Sequence, residues 1–380
     1  MADPFDFWRM MWPSAAQSLG HFAQVASAGA GLFQPIRSPP ELATLANVRL
    51  DLATMLLRDR GEDGARAAMP TLIVAPFALH DSSIADFARE HSLAEAFAAA
   101  GLGEIAMTQW KSATEDMRDF GIDAYLSDLN VAVDDLGGRV ALVGLCQGGW
   151  LATAYAARFP KKVGALVLAG APIDLGAADS EITRSLAGVS PGMLESIVSI
   201  NGGRVMGQLA LPIWAHGMQH EFDAQETLQR SDDPVLLAKA TAWNAYTVDL
   251  PGVYFLQTSE WLFRENRLAR NCFRALGRYC SLHGITAPIF VLAASEDEIV
   301  ALPQALAVKT LCPQANITAR VVPGRHLSLF LGRDTLTHAW VDVATWLKQV
   351  SASPLPDGRG LTPVLASSKS ARGRGRSARA

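Results

Sequence analysis

The most constraining feature of the chain is the stretch of residues 140–150. Its first six residues are apolar and long enough for one fully buried strand, and residues 150–159 predict a helix. Between them stands Cys146, with Gly144 and Gly148 two residues away on either side. In so tight a turn a Cβ at either flanking position would collide with the neighbouring strand or helix. The pattern predicts a sharp strand–turn–helix elbow with Cys146 at its apex.

An elbow of this kind turns Cys146 into a candidate nucleophile. The thiol would stand at a helix N-terminus, where backbone N–H groups and the helix dipole stabilise a thiolate. The alternative is a buried structural cysteine in an ordinary turn between strand and helix. Glycine on both sides, with a strand before and a helix after, favours the nucleophile.

Composition bounds the class of protein. The 380 residues are 49% hydrophobic and 18% charged, which suffices for one large α/β domain with an insertion. A net charge of −4 argues against nucleic-acid binding by the body of the chain. The four cysteines show neither Cys-x-x-Cys nor zinc-ligand spacing, so no metal is expected. An acidic start and the lack of a long apolar run predict a cytoplasmic protein with no signal peptide or membrane span.

Strands and helices alternate over much of the chain. Strands are predicted at residues 71–75, 105–110, 140–145, 164–169, 289–293 and 317–322, and helices at residues 41–60, 83–99, 122–136, 150–159, 304–311 and 335–350. This rhythm predicts an α/β fold with a mostly parallel sheet and helices on both faces. Residues 174–285 lack the rhythm and predict an inserted cap over the carboxyl ends of the strands.

The predicted organisation has five parts: an aromatic and helical segment (1–69), a core in two pieces (70–173 and 286–350), the cap (174–285) and a tail (351–380). Residues 1–40 are rich in Phe, Trp and Met. They predict either a segment packed on the body or an amphipathic anchor for an apolar surface. The small, polar and basic tail predicts disorder. The Arg/Gly run at residues 371–376 is a candidate for binding nucleic acid, although a disordered, solvated end of the chain is the favoured interpretation.

An elbow nucleophile needs a base and an orienting acid. In the α/β-hydrolases, which this elbow resembles, they follow in the order nucleophile, acid, base, each on a loop after a later strand. Asp297 follows the strand at 289–293, and His326 follows the strand at 317–322. The carboxyl ends of parallel strands meet at one edge of the sheet. We expect His326 to take the thiol proton while Asp297 holds the ring in the correct tautomer.

Other residues compete for these roles. For the acid, the rivals are Glu296, Glu298 and Asp174. For the base, they are His283 and His338, whereas His80, His216 and His220 are expected in the cap or at the rim of the site. The oxyanion hole is predicted to use the backbone N–H of Gln147 and a second N–H from Phe77 or Ala78.

A cysteine nucleophile also bears on the reaction. Acylated Cys146 would be a thioester, which is more activated than an ester and can pass its acyl group to an alcohol. This chemistry suits acyl transfer from an acyl-CoA and is compatible with ester hydrolysis. A cap that excludes water would favour transfer.

Several stretches together resemble the polyhydroxyalkanoate synthases and the intracellular polyhydroxybutyrate depolymerases. They are residues 71–76, 109–111, 123–125, 142–149, 249–257, 297 with 299–300, and 323–326. The resemblance implies an α/β-hydrolase fold with a triad of Cys146, Asp297 and His326. This chain differs from the synthases in three places. Glu298 stands where the synthases usually have His, and Arg325 stands where they usually have Gly. The predicted helix at 41–60 replaces a strand hairpin.

From these observations we predict a polyhydroxyalkanoate synthase-like acyltransferase without a cofactor. The alternatives are an intracellular depolymerase or thioesterase, and a non-catalytic granule protein on the same fold. The partners expected are a hydroxyacyl-CoA or the polymer, the surface of a polymer granule, and a second copy of the chain in a homodimer.

Overall fold

The structure is a computed structural model that describes residues 39–61, 69–187, 189–214, 228 and 233–352. The predictions made for residues 1–38, for His216 and His220, and for the chain beyond residue 352 lie outside the described residues. In the described ranges, no helix combines the length and apolar character needed to cross a membrane.

An eight-stranded sheet forms the centre of the fold. In their order across the sheet, the strands are β1 (Asn47–Asp51), β2 (Met55–Asp59), β6 (Ile105–Trp110), β3 (Thr71–Val74), β7 (Val140–Leu145), β8 (Val163–Ala169), β13 (Ile289–Ala294) and β14 (Ile317–Val322). The two strands at one edge, β1 and β2, are antiparallel, and the six from β6 to β14 are parallel. The predicted α/β fold with a mostly parallel sheet is confirmed.

Alternate residues of the buried strands belong to two separate apolar cores. Leu142 of β7 packs in one core with Trp150, whereas Val143 packs in the other with Trp340. This period of two arises because successive strand side chains point to opposite faces. Helices Ile122–Asp135 and Gln147–Arg158 therefore cover one face of the sheet, and helices Leu93–Ala99 and Trp340–Ala352 cover the other.

The predicted helix at residues 41–60 is wrong, because β1 and β2 form an antiparallel hairpin there. Apolar residues at helical spacing suggested the helix. In the fold, Met55 and Leu57 are fully buried at a period of two, since β2 pairs with β6. Pairing at the edge of the sheet thus outweighs the helical preference suggested by the local sequence. The strand hairpin before the first parallel strand is thus present, which removes one of the three differences from the synthases.

The predicted helix at residues 83–99 is correct only in its last part, Leu93–Ala99. Before it come a 3₁₀ turn, Ser82–Ala85, and a small hairpin of β4 (Asp86–Ala88) and β5 (His91–Ser92). The buried carboxylate of Asp86 accepts hydrogen bonds from the backbone N–H groups of Thr44 and Leu45 and from the Ser92 hydroxyl. A buried carboxylate needs such donors, and a continuous helix would not supply them.

The described residues between β8 and β13 add no strand to the main sheet. They form helices Glu181–Ala187, Pro191–Ile200, Gly207–Trp214, Pro234–Ala245 and Gly252–Gln257 and the π-helix Thr258–Arg264. Strand β9 (Arg204–Val205) pairs antiparallel with the distant β10 (Leu250–Pro251), and β11 (Phe273–Ala275) forms a small hairpin with β12 (Arg278–Cys280). The boundaries proposed for the cap and for the other parts of the chain stay predictions.

Short helices follow the last two strands of the sheet. After β13 come Leu302–Leu306 and Val308–Leu311, in place of the single helix predicted at 304–311. After β14 come Ser328–Leu331 and the π-helix Thr335–Ala339, which leads into Trp340–Ala352. The loops before these helices lie at the carboxyl edge of the sheet.

Replacing Gly148 by Ala tests how closely the elbow is packed. A Cβ there would lie 2.0 Å from the carbonyl oxygen of Val74, a backbone atom that cannot rotate away. We expect the free energy of unfolding in urea to fall by about 3 kcal/mol or more.

The control is Gly192→Ala, also in the first turn of a helix, where a Cβ meets nothing within 4 Å. It should stay within about 1 kcal/mol of the wild type or gain stability. A Gly148→Ala protein as stable as the wild type would contradict the close packing.

Candidate active site

Cys146 occupies a strained position between β7 and the helix Gln147–Arg158. Its φ of 46° and ψ of −117° are unusual for a residue other than glycine. Its backbone N–H donates to the carbonyl of Ala169 on β8, and its own carbonyl accepts from the N–H of Gly149. Strain of this kind costs about 1–3 kcal/mol and persists only where the surroundings determine it. The predicted elbow is present, and Cys146 is a partly exposed residue.

Three glycines let the elbow pack closely against its neighbours. A Cβ at Gly144 would lie 2.5 Å from the Cα of Gly149, and one at Gly148 would lie 2.0 Å from the Val74 oxygen, so both glycines pack backbone against backbone. Both contacts agree with the collision expected from the sequence. A Cβ at Gly149 would lie 2.3 Å from the side chain of Ala171. The sequence pattern gave no packing role to this third glycine.

His326 and Asp297 form a buried pair. The Nδ1 atom of His326 lies 2.7 Å from Oδ2 of Asp297, and both residues are less than a tenth exposed. A carboxylate can only accept, so the ring donates from Nδ1 and keeps Nε2 for another partner. The other oxygen, Oδ1, accepts from the N–H groups of Ile299 and Val300 at 3.0 and 2.8 Å. These bonds fix the carboxylate, and the carboxylate orients the ring.

The pKa of His326 is raised well above its ordinary value of 6.5. Burial by itself would lower this pKa, but the interactions of the ring with Asp297 and with the side chain of Cys146 raise it by more. The charged imidazolium form of the ring is therefore favoured.

The competing acids are placed elsewhere. Glu296 and Glu298 are exposed on either side of the buried Asp297. Asp174 accepts hydrogen bonds from the side chain of Asn266 and from the N–H of Gly176. Of the four carboxylates considered, Asp297 is the one in contact with His326.

The competing histidines are also accounted for. His283 and His338 are exposed, and Nδ1 of His338 bonds to the Asp334 carbonyl within its own π-helix. His80 stacks on Trp243 with ring centroids 4.2 Å apart. Burial lowers the pKa of His80 to about 4, so its ring is neutral at pH 7. The stacking ties the loop after β3 to the helix Pro234–Ala245.

The residues proposed for the oxyanion hole lie at the same edge of the sheet. Gln147 is the first residue of the elbow helix, and its side-chain oxygen accepts from Nε1 of Trp150. The end of β3 touches the elbow at Gly148, so the loop carrying Phe77 and Ala78 begins beside it. Phe77 itself is buried in an aromatic cluster with Trp110, Tyr125 and Tyr254. The use of these backbone N–H groups as donors stays a prediction.

A cavity of about 1130 Å³ lies beside the loop that carries His326. Its walls include Gly324 and Arg325, the turn of the β4–β5 hairpin and Lys239. Its described walls do not include the three residues of the site. Across the described ranges, no group of three or more His, Cys, Asp or Glu side chains is arranged to hold a metal ion.

Comparisons with known proteins agree with the fold. A family model described as the alpha/beta hydrolase fold matches residues 100–332. A relative in Synechocystis sp., a Poly(3-hydroxyalkanoate) polymerase subunit PhaC, is 25% identical over 262 residues, which cover 65% of this chain and 69% of that protein. The protein of the same name in Allochromatium vinosum is 21% identical, with coverage of 78% and 85%.

Solved structures show the same architecture. The BpoC protein of Mycobacterium tuberculosis H37Rv superimposes with a TM-score of 0.51 at 19% identity, over 80% of this chain and 99% of that one. A monoacylglycerol lipase of Paleococcus ferrophilus gives a TM-score of 0.50 at 13% identity, over 74% and 96%. At such identities the likeness concerns the fold.

The charge coupling around His326 gives a testable prediction. Asp297→Asn should lower the pKa of His326 most, since it removes the largest opposing charge, and Cys146→Ala should lower it by less. Glu298→Gln is the control, because this exposed carboxylate lies outside the buried contact. Titration of the ¹³Cε1 signal of His326 by NMR measures all four proteins. An unchanged pKa in Asp297→Asn would show that the pair does not form in solution.

Proposed function

The chain belongs to the α/β-hydrolase family, and from that premise we propose that it is a polyhydroxyalkanoate synthase-like acyltransferase. It accepts 3-hydroxyacyl thioesters and carries the acyl group on Cys146. Asp297 and His326 complete the triad. The observation that carries this proposal is the buried contact of His326 with Asp297, in which Nδ1 lies 2.7 Å from Oδ2. The side chain of Cys146 also interacts with the same ring and raises its pKa.

The first half-reaction forms a thioester on the protein. The Cys146 thiolate attacks the carbonyl carbon of the 3-hydroxyacyl-CoA, and the carbonyl oxygen becomes an oxyanion. The N–H of Gln147, with that of Phe77 or Ala78, stabilises this charge. When the tetrahedral intermediate collapses, the bond to the CoA sulfur breaks. His326 gives its proton to the leaving CoA thiolate.

The second half-reaction transfers the acyl group. His326, now neutral, takes the proton from the hydroxyl of a second 3-hydroxyacyl unit. The oxygen of that hydroxyl attacks the Cys146 thioester, a new ester bond forms, and the thiolate is released. Asp297 stabilises the imidazolium in both steps. If water attacks in place of the hydroxyl, the same steps give hydrolysis.

The comparisons support this assignment over an unrelated hydrolase reaction. The curated relatives described above carry the name of a polymer-forming enzyme. The two remaining sequence differences, Glu298 and Arg325, lie at exposed positions. They change the surface around the site and leave the buried contact of Asp297 with His326 in place. The predictions of a granule surface and of a homodimer stay predictions.

The central test follows CoA release from 3-hydroxybutyryl-CoA and from longer 3-hydroxyacyl-CoA substrates. The wild type should release CoA, and Cys146→Ala should reduce the rate by about a thousandfold or more, because the covalent step is lost. Cys272→Ala is the matched control, since this free cysteine is also partly exposed. A wild type that releases no CoA from any chain length would overturn the proposal.

The products distinguish transfer from hydrolysis. A synthase should convert the substrate into oligomers linked by ester bonds, which mass spectrometry detects as a ladder of hydroxyacyl units. A thioesterase would give the free hydroxy acid alone, and a depolymerase would shorten amorphous polymer granules. Free acid without oligomers would replace the acyltransferase assignment with the hydrolase one.

A further inference from the structure

The end of strand β8 lies between the nucleophile and the base. We propose that residues 169–171 act as a spacer that sets the separation of Cys146 and the His326 ring, with Gly170 as the positioning residue. The kinetic part of this inference rests on the function proposed above. Its structural part concerns the protein without substrate.

On one side, the spacer holds the elbow. The carbonyl of Ala169 accepts a hydrogen bond of 2.9 Å from the N–H of Cys146. The side chain of Ala171 packs closely against the elbow helix. A Cβ added at Gly149 would lie only 2.3 Å from the Cβ of Ala171. The end of β8 therefore contacts both the backbone of Cys146 and the helix that follows it.

On the other side, the spacer meets the base. A Cβ added at Gly170 would lie 3.1 Å from Cε1 and 3.4 Å from Nδ1 of His326, and 2.8 Å from Leu329. The ring thus rests close to the glycine backbone. Phe330 packs edge-on against the ring, with centroids 5.4 Å apart. The imidazole is held between these two surfaces.

The spacer is itself fixed in the sheet. All seven residues of β8 are buried, and the N–H of Gly170 donates to the carbonyl of Leu292 on β13 at 3.0 Å. β13 is the strand that leads to Asp297. One short segment therefore contacts the strand or loop of each of the three proposed catalytic residues. A φ of +53° at Gly170 suits glycine, and the space against the ring admits no larger residue.

The test compares two glycine substitutions with similar backbone strain. Gly170→Ala adds a methyl group against His326. Gly202→Ala adds one at a φ of +66° where nothing lies within 4 Å. For both proteins, iodoacetamide alkylation of Cys146 is followed at pH 6 by mass spectrometry, and the pKa of His326 is measured by NMR.

In Gly170→Ala we expect the alkylation rate to fall about tenfold or more, because a displaced ring can no longer act as the base for Cys146. The pKa of His326 should fall with it. The kcat for CoA release should fall about 10- to 100-fold with a much smaller change in KM, and Gly202→Ala should match the wild type in all three. The spacer proposal would be overturned if the two variants behaved alike. It would also be overturned if the pKa of His326 in Gly170→Ala equalled that of the wild type.

A measurement on the unaltered protein covers the case in which Gly170→Ala does not fold. With ¹³C-labelled glycine and histidine, a nuclear Overhauser effect should join the Hα protons of Gly170 to Hε1 of His326. Its absence would refute the contact. A wild type that releases no CoA would overturn the proposed function, whereas the alkylation and NMR results would still decide whether Gly170 positions the ring.

Discussion

The contact of backbone with backbone at the elbow is the constraint on which the site depends. Gly144, Gly148 and Gly149 have no Cβ, so β7, the elbow helix and the end of β3 approach more closely than side chains would allow. That approach holds Cys146 at a φ that non-glycine residues seldom adopt. A looser turn would relax this strain and turn the thiol away from the helix N-terminus. The buried sheet on either side supplies the stability that maintains it.

Burial and charge then act in opposite directions at His326. Removal of the ring from water disfavours its charged form, whereas the interactions of the ring with Asp297 and with the side chain of Cys146 favour it. In a buried site such attractions are strong, and here they exceed the cost of burial, so the pKa of His326 is raised. The two N–H groups that bind Asp297 hold its carboxylate in place. The orientation of the His326 ring is therefore set by contacts within the protein.

Much of the site could be predicted because parallel strands end at a common edge. Cys146, Asp297 and His326 each follow such a strand, and their order along the chain matched that of a known arrangement. The positions of β6, β7, β8, β13 and β14 followed from runs of apolar residues. The helix expected at 41–60 failed because its apolar spacing suits a helix as well as two short strands, and only pairing with β6 decides between them. The choice among Glu296, Asp297 and Glu298 likewise depended on which carboxylate is buried.

The sequence by itself determined the elbow, the place of Cys146 at its apex and the parallel core, because glycine spacing and apolar runs act over a few neighbouring residues. Tertiary structure alone decided which acid meets His326 and that Gly170 lies against its ring. It also decided that residues 47–59 form a hairpin. These contacts join residues far apart in the chain, and their energies depend on burial and distance, which no local pattern encodes.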